Sequence, residues 1–317
     1  MLASLFAMQS WAQLIPNCGA QRAGLSRLSF LKNDINPRSA AMSGASVALD
    51  GVVYSFYTNP AATTELNGFN LAMSNFSLGA GIQQSFVSAL MPTKSKLSTI
   101  GLSVNMLNSG AMDVRTEFQP NGTGEKFYVS NLAIGATYAQ KLSDMFSAGI
   151  TLKYIQEQID TYNNATAAAD VSFLYFTDYK DLKFAVMIQN FGGNSAISGD
   201  ELQTTFNRTG SLEPESYAVP TVFSLGTSRV PWKKDKQSLL IAAQLNHPND
   251  NAENYRLGVE YEYYKLLYLR TGIKINVDGQ KFPTFGFGIR QLFGSHPMYI
   301  MYSANPTDYM GILHTIG

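Results

Sequence analysis

The residues best suited to proton exchange near neutral pH are three histidines, His247, His296 and His314. All three fall at expected strand ends or turns and lie far apart in the chain. That spacing assembles neither a metal-ligand cluster nor a convergent acid, base and nucleophile. The single cysteine, Cys18, excludes an internal disulfide and Cys-x-x-Cys chemistry. The preceding Leu-Ile-Pro-Asn lacks the small residue expected before a lipidated cysteine, so Cys18 reads as a free thiol. Gly286 and Gly288 form a Gly-x-Gly, but within an alternating stretch and not at the strand-to-helix turn where glycines cradle phosphate. The expectation is a non-enzymatic protein with no cofactor and no metal. Asn121-Gly-Thr, Asn164-Ala-Thr and Asn207-Arg-Thr match glycosylation triplets and read as loop composition.

What remains is charge, and its arrangement is informative. Lys153, Asp170, Arg256, Glu260, Glu262, Arg270, Lys274 and Arg290 share one face of period-two stretches, interleaved with Gly149, Gly258, Gly272, Gly286 and Gly288. The opposite face carries rows such as Phe146, Ala148, Ile150, Leu152 and Tyr154, or Leu267, Leu269, Ile273 and Ile275, and is free of charge. Lys or Arg at the lipid-facing midplane of a membrane barrel costs about 2 to 4 kcal/mol, so a lipid-facing row should exclude it. Composition agrees: charged residues are 15% of the 317, against roughly 25% in an average soluble protein, while aromatics reach 12%. A soluble two-sheet protein is the alternative, with more surface charge expected of it. Zero net charge offers no basic patch for nucleic acid. After the N-terminus no run of about 18 apolar residues suggests a spanning helix.

The elements that position these faces are fourteen strands, expected at 68–77, 81–92, 98–109, 126–141, 144–157, 167–177, 182–190, 217–229, 238–247, 254–263, 266–276, 282–292, 297–304 and 309–316. Alternate connections are short and polar, near 93–96, 142–144, 177–181, 231–237, 264–265 and 294–297; the long ones are 109–125, 158–166 and 191–216. Short turns on one side, longer loops on the other and an even strand count characterise outer-membrane barrels. In the stretch TIGLSVNML, Ile100, Leu102, Val104 and Met106 should face lipid and Gly101, Ser103 and Asn105 the lumen. Tyr154, Tyr255, Tyr263 and Trp232 suit an aromatic girdle. A tight turn at Tyr264-Lys265 sets Glu260 opposite Arg270, an ion pair or two solvated lumen side chains, and Arg256 opposite Lys274, a like-charge pair that needs water or an acidic neighbour.

The fold class is thus all-β, a transmembrane antiparallel barrel of about 14 strands at 68–317 in the outer membrane. Residues 1–12 read as a signal peptide, with Ser10-Trp11-Ala12 as the cleavage pattern and Gln13 the first mature residue. Residues 13–67 are expected to form a plug or hatch in the lumen.

Within that segment, FLKNDINPRSAAMSGASVAL followed by YTNPAA resembles the N-terminal signature of the PorV/PorQ family of Bacteroidota outer-membrane proteins, relatives of the FadL long-chain fatty-acid transporter. Phe30, Leu31, Arg38, Met42, Gly44, Asn59, Pro60 and Ala61 carry the resemblance, and Ser43-Gly44 stands where the family usually has paired glycines. The stretch 127–142 also resembles the family's fourth strand. The resemblance implies a component of the type IX secretion system that binds secreted cargo domains or other secretion-system partners through outer loops. Candidate contacts are Asp113, Arg115, Glu117, Asn207 and Arg208. The alternative is a FadL-like passage for hydrophobic small molecules, with an apolar pocket under the hatch lined by Phe30, Met42, Phe56 and Tyr57.

Overall fold

The computed structural model describes residues 26–51, 53–199, 215–280, 282–294 and 296–317. The expected signal peptide and its cleavage point, Cys18, Asn207 and Arg208 lie outside the described residues.

Fourteen strands close into one antiparallel barrel. In chain order they are β1 (Asn70–Gly79), β2 (Ile82–Pro92), β3 (Ser98–Asn108), β6 (Val129–Lys141), β7 (Phe146–Ile159), β8 (Tyr162–Phe176), β9 (Lys183–Gly192), β10 (Val222–Lys234), β11 (Gln237–Pro248), β12 (Asn254–Tyr263), β13 (Leu267–Ile275), β14 (Thr284–Phe293), β15 (His296–Thr307) and β16 (Gly311–Ile316). Between β3 and β6 a small hairpin of β4 (Met112–Asp113) and β5 (Lys126–Phe127) stands apart as its own sheet. Every barrel strand pairs with its chain neighbour, and β16 closes the ring on β1 through Asn75–Ile316, Phe76–Thr315 and Ser77–His314. Closure leaves no sheet edge around the ring's paired backbone, which is what a strand protein needs in hydrocarbon.

Two faces follow from the two-residue period. Ile100, Leu102, Val104 and Met106 are 46%, 64%, 43% and 49% exposed, while Ser103 and Asn105 are buried. Ile150, Leu152, Tyr154, Ile241, Leu257, Leu269, Ile273, Phe285, Phe287 and Ile289 continue the exposed apolar belt. This belt sits in the lipid bilayer. Trp232 and Tyr263 are also exposed and lie near the short-turn end.

Two expected connections are strands instead. The stretch 158–166 is not a loop: β7 and β8 pair from Phe146–Tyr175 to Ile159–Tyr162, and only Asp160 and Thr161 separate them. Asn164 is consequently a buried strand residue, accepting no loop role, and its amide donates to Ser195 Oγ at 3.1 Å. The other is 231–237, where β10 runs through Trp232 to Lys234, absorbing a bulge between Arg229 and Trp232. The tight turn does fall at Tyr264-Lys265, both left-handed at φ 55° and 53°, and Arg256–Lys274 and Glu260–Arg270 are cross-strand partners.

Candidate functional site in the barrel lumen

The chain from Ser26 to Leu66 lies against inward faces on all sides of the barrel. It is built from four short turns: Ser29–Lys32, α1 (Pro37–Ala41), α2 (Ser55–Thr58) and Pro60–Glu65. Two of them start the same way. Asn36 and Asn59 are N-caps whose Oδ1 atoms accept from the backbone N–H of Arg38 and Ala61, both at 3.0 Å, and each is followed by a proline at the first helical position. A proline there loses no needed N–H and already has helical φ. Asn59 also donates from Nδ2 to the carbonyl of Val47 at 2.5 Å, so its side chain ties two parts of the segment together.

Glycines on the wall admit the segment's backbone. A Cβ on Gly149 would lie 2.5 Å from Ala61 N and 2.6 Å from the Pro60 carbonyl carbon; one on Gly258 would lie 2.7 Å from Met42 Cβ, and Gly272 and Gly286 are equally crowded by Met42 and Ala41. Apolar wall residues complete the packing. Tyr54, Phe56 and Tyr57 surround Phe86, with ring centroids 6.0 to 6.5 Å apart. Phe30 and Leu31 pack with Ala133 and Ile155, and Val47, Ala61 and Ala62 with Leu174 and Met187. The lumen face is therefore not polar throughout, as its charges and glycines suggest; it is apolar where the segment docks.

Among the described residues, five ion pairs fasten this segment to the barrel and its loops: Arg27–Glu157 at 3.6 Å, Lys32–Asp250 at 2.6 Å, Arg38–Glu260 at 2.5 Å, Asp50–Lys183 at 2.5 Å and Glu65–Lys141 at 2.9 Å. Glu260 is the most heavily used acceptor. It accepts from Nε and Nη2 along one edge of the Arg38 guanidinium and from Arg270 Nε at 2.6 Å. Lys153 pairs with Asp170 at 2.6 Å and donates to Asn190 Oδ1 at 2.8 Å. Arg290 points inward with its guanidinium 5.8 Å from the Tyr299 ring centre. The like-charge neighbours Arg256 and Lys274 have their acidic neighbour in Asp34, on the segment. Burial pushes the Asp34 carboxyl up from its ordinary range, against the lowering effect of the Ser39 hydroxyl and of the Lys274 and Arg256 charges.

The eight signature residues are spread along this segment and its three packing clusters. Phe30, Leu31, Met42, Asn59, Pro60 and Ala61 are buried, Arg38 is the ion-pair arm, and Gly44 has φ +81° with the Arg256 guanidinium packed directly over it. The expected apolar pocket takes a different form. Phe30, Met42, Phe56 and Tyr57 are core residues, and the space beside Phe56 and Tyr57 amounts to about 10 Å³. Two larger cavities flank the segment. One of about 220 Å³ lies on the long-loop side and is lined by polar groups including Lys32, Asp34, Gln244, Arg256 and Lys274. The other, of about 190 Å³, is bordered by Arg38, Glu260, Tyr268 and Tyr299.

The outer-loop candidates do not gather with these groups. Asp113 sits in β4 opposite Lys126, and Arg115 and Glu117 are exposed at the hairpin tip beside Phe118, which is 94% exposed. His247 pairs with Glu253 at 2.9 Å and His314 with the Tyr302 hydroxyl at 2.7 Å, both exposed and remote from each other. Sequence reasoning missed Asp34, Lys32–Asp250 and the wall aromatic Phe86; the repeated Asn-Pro was the available signal for the segment's turns.

No family model matches the chain, and no curated protein matches it in sequence. Solved structures do match in fold. The toluene transporter TbuX of Ralstonia pickettii superposes with a TM-score of 0.57 at 11% identity, covering 89% of this chain and 95% of that one. The CymD monoaromatic hydrocarbon channel gives 0.54 at 11% identity over 89% and 95%. A Pseudomonas aeruginosa FadL homologue gives 0.51 at 11% identity over 89% and 94%. The chain shares the barrel fold of these proteins, and with its lipid-facing belt it is an outer-membrane β-barrel.

Proposed function

We propose that the chain is an outer-membrane passage for small hydrophobic molecules, with residues 13–67 acting as a hatch that must shift before solute passes. The observation that supports this most is the fold likeness to a toluene transporter and a monoaromatic hydrocarbon channel over nearly the whole chain. The fastening is compatible with movement, because residues 26–66 are held by ion pairs, side-chain packing and hydrogen bonds such as Gln244 to the Ser46 and Val47 N–H groups, each open to exchange with water or solute. Uptake of radiolabelled toluene by cells with and without the gene tests the reading: slower uptake on deletion, restored by the wild-type gene, supports it. Equal uptake rejects it.

A second reading is a type IX secretion component of the PorV/PorQ kind that binds cargo or a surface partner. The closed packing around Phe86, which leaves only about 10 Å³ beside Phe56 and Tyr57, favours it, since a scaffold has no need of an open apolar route. So does the exposed β4–β5 hairpin, where Asp113, Arg115, Glu117 and Phe118 form a projecting mixed surface; Asn207 and Arg208 belong to the same proposal. Purification from mildly solubilised membranes should then recover secretion components with the wild-type chain and not with one whose 112–127 hairpin is shortened. Recovery of the barrel alone in both cases counts against this reading and leaves the first untouched.

A further inference from the structure

The cavity on the long-loop side of the segment carries charged and amide groups that a hydrocarbon does not need. It lies toward the long-loop end, near the β11–β12 connection and the stretch after β13. Its volume, about 220 Å³, is more than ten times the roughly 10 to 15 Å³ that one water requires. Its charges do not cancel. Lys32 and Asp250 pair at 2.6 Å, which leaves Arg256 and Lys274 against Asp34 alone. Arg256 is engaged by two side chains, donating from Nε to Asn254 Oδ1 at 3.0 Å and from its guanidinium to the Asn246 side-chain oxygen at 2.9 Å, which leaves Lys274 as the basic group without such a partner. Lys274 makes no hydrogen bond or ion pair among the described residues, although it borders the cavity directly beside Arg256. Two basic side chains on adjacent strands therefore face a single acidic group across a half-open recess of mixed polar and apolar lining.

The same wall carries unused acceptors. Asp34 accepts from Ser39 at 2.6 Å through one carboxylate oxygen, and its Oδ1 is buried without a partner; Asp250 Oδ1 and Gln280 Oε1 are buried and unpartnered too. Buried polar atoms left unmatched are costly, so this combination describes a recess awaiting both an anion and a hydrogen-bond donor. We infer that the cavity binds a compact hydrophilic anion that also carries hydroxyl or amino donors, a hydroxycarboxylate or amino acid in chemical class. The anionic group meets Lys274 and Arg256, and the donors meet Asp34 and Gln280. A purely apolar solute satisfies none of these groups, and a plain fatty acid satisfies only the cations.

The test uses the purified full barrel in detergent with three probes: glycerate, its uncharged analogue glycerol, and propionate, which keeps the carboxylate and lacks the donors. Saturable glycerate binding by calorimetry is expected, at least tenfold tighter than either analogue, and Lys274→Gln should weaken it by about tenfold or more, the equivalent of 1.4 kcal/mol. Because Lys274 has no protein hydrogen bond to lose, the variant should keep the wild-type unfolding midpoint. Should that variant fail to assemble, the wild-type protein decides: glycerate, and neither analogue, should protect Lys274 from acylation by an amine reagent as read by peptide mass spectrometry. Absence of saturable glycerate binding, equal binding of all three probes, or glycerate binding unchanged in Lys274→Gln overturns the inference.

Discussion

Arg38 and Glu260 are joined edge to edge, Nε to Oε2 at 2.7 Å and Nη2 to Oε1 at 2.5 Å, across 222 residues of sequence. Arg270 Nε shares Oε2 from the neighbouring strand at 2.6 Å, so one carboxylate holds two guanidinium groups together. This three-residue group links the segment to the wall of the barrel, and its members are largely removed from solvent.

Removing the shared acceptor is therefore worse than removing either donor. Glu260→Gln leaves Arg38 and Arg270 as like charges in a largely buried site, and losing one partner of a buried pair typically costs about 3 to 5 kcal/mol. The expected outcome is a lower urea midpoint for the heat-modifiable folded band on gels, with Arg38→Gln less affected because Arg270 stays paired. Protease cutting within residues 34–50 should rise in Glu260→Gln while the barrel core stays protected.

A second expectation concerns Gly272, whose missing side chain makes room for the Met42–Ser43 backbone. Valine there cannot fit unless the segment retreats, and overpacking of this kind typically costs about 1 to 3 kcal/mol. Hydrogen exchange should quicken at residues 39–46 and remain unchanged in β12 and β13, because the ladder hydrogen bonds between those strands do not depend on the side chain. Uniform loss of protection across the barrel would contradict the separate docking of the segment.

Much of this was legible from periodicity, and the failures share one cause. The register at Tyr264-Lys265 followed from counting outward from a two-residue turn, so Glu260–Arg270 and Arg256–Lys274 came out as partners. The 158–166 stretch reads as a loop by its polarity, yet Asn164 and Thr166 are inward strand positions, which are polar in a barrel, and the outward ones include small Ala165 and Ala167. Local polarity cannot separate those cases. Nor could it reveal that Phe86, Leu90, Ile155 and Leu174 face inward to receive the segment, or that Asp34 answers Arg256 and Lys274, since these contacts join positions far apart in the chain.

The membrane belt has its own test in Leu102, 64% exposed and near the middle of β3. Arginine on the lipid face at the bilayer midplane costs about 2 to 4 kcal/mol, so Leu102→Arg should fold into vesicles less completely than Leu102→Ala by that free-energy margin. In detergent micelles, whose surface adapts around a charge, the gap should shrink. Equal folding of the two variants in vesicles would place this face away from lipid.

Asn59 and Asn36 begin their turns with the same cap and differ in what else they hold, which makes a matched pair of substitutions informative. Each Oδ1 accepts one backbone N–H, at Ala61 and Arg38. Only Asn59 also donates to a distant carbonyl, Val47 O at 2.5 Å, and that carbonyl is buried with the segment. Asn36→Ala should lose a cap alone, about 0.5 to 2 kcal/mol. Asn59→Ala loses the cap and strands a buried acceptor, an additional penalty of about 1 to 3 kcal/mol. Asn59→Asp separates the two roles: the aspartate can still accept from Ala61 N–H, yet it brings a carboxylate against the Val47 carbonyl instead of a donor. The expected order of urea midpoints is therefore wild type, then Asn36→Ala, then Asn59→Ala, with Asn59→Asp no better than Asn59→Ala. If Asn59→Asp matched the wild type, the cap would be the whole of what Asn59 does, and the tie between the two halves of the lumen segment would have to come from packing.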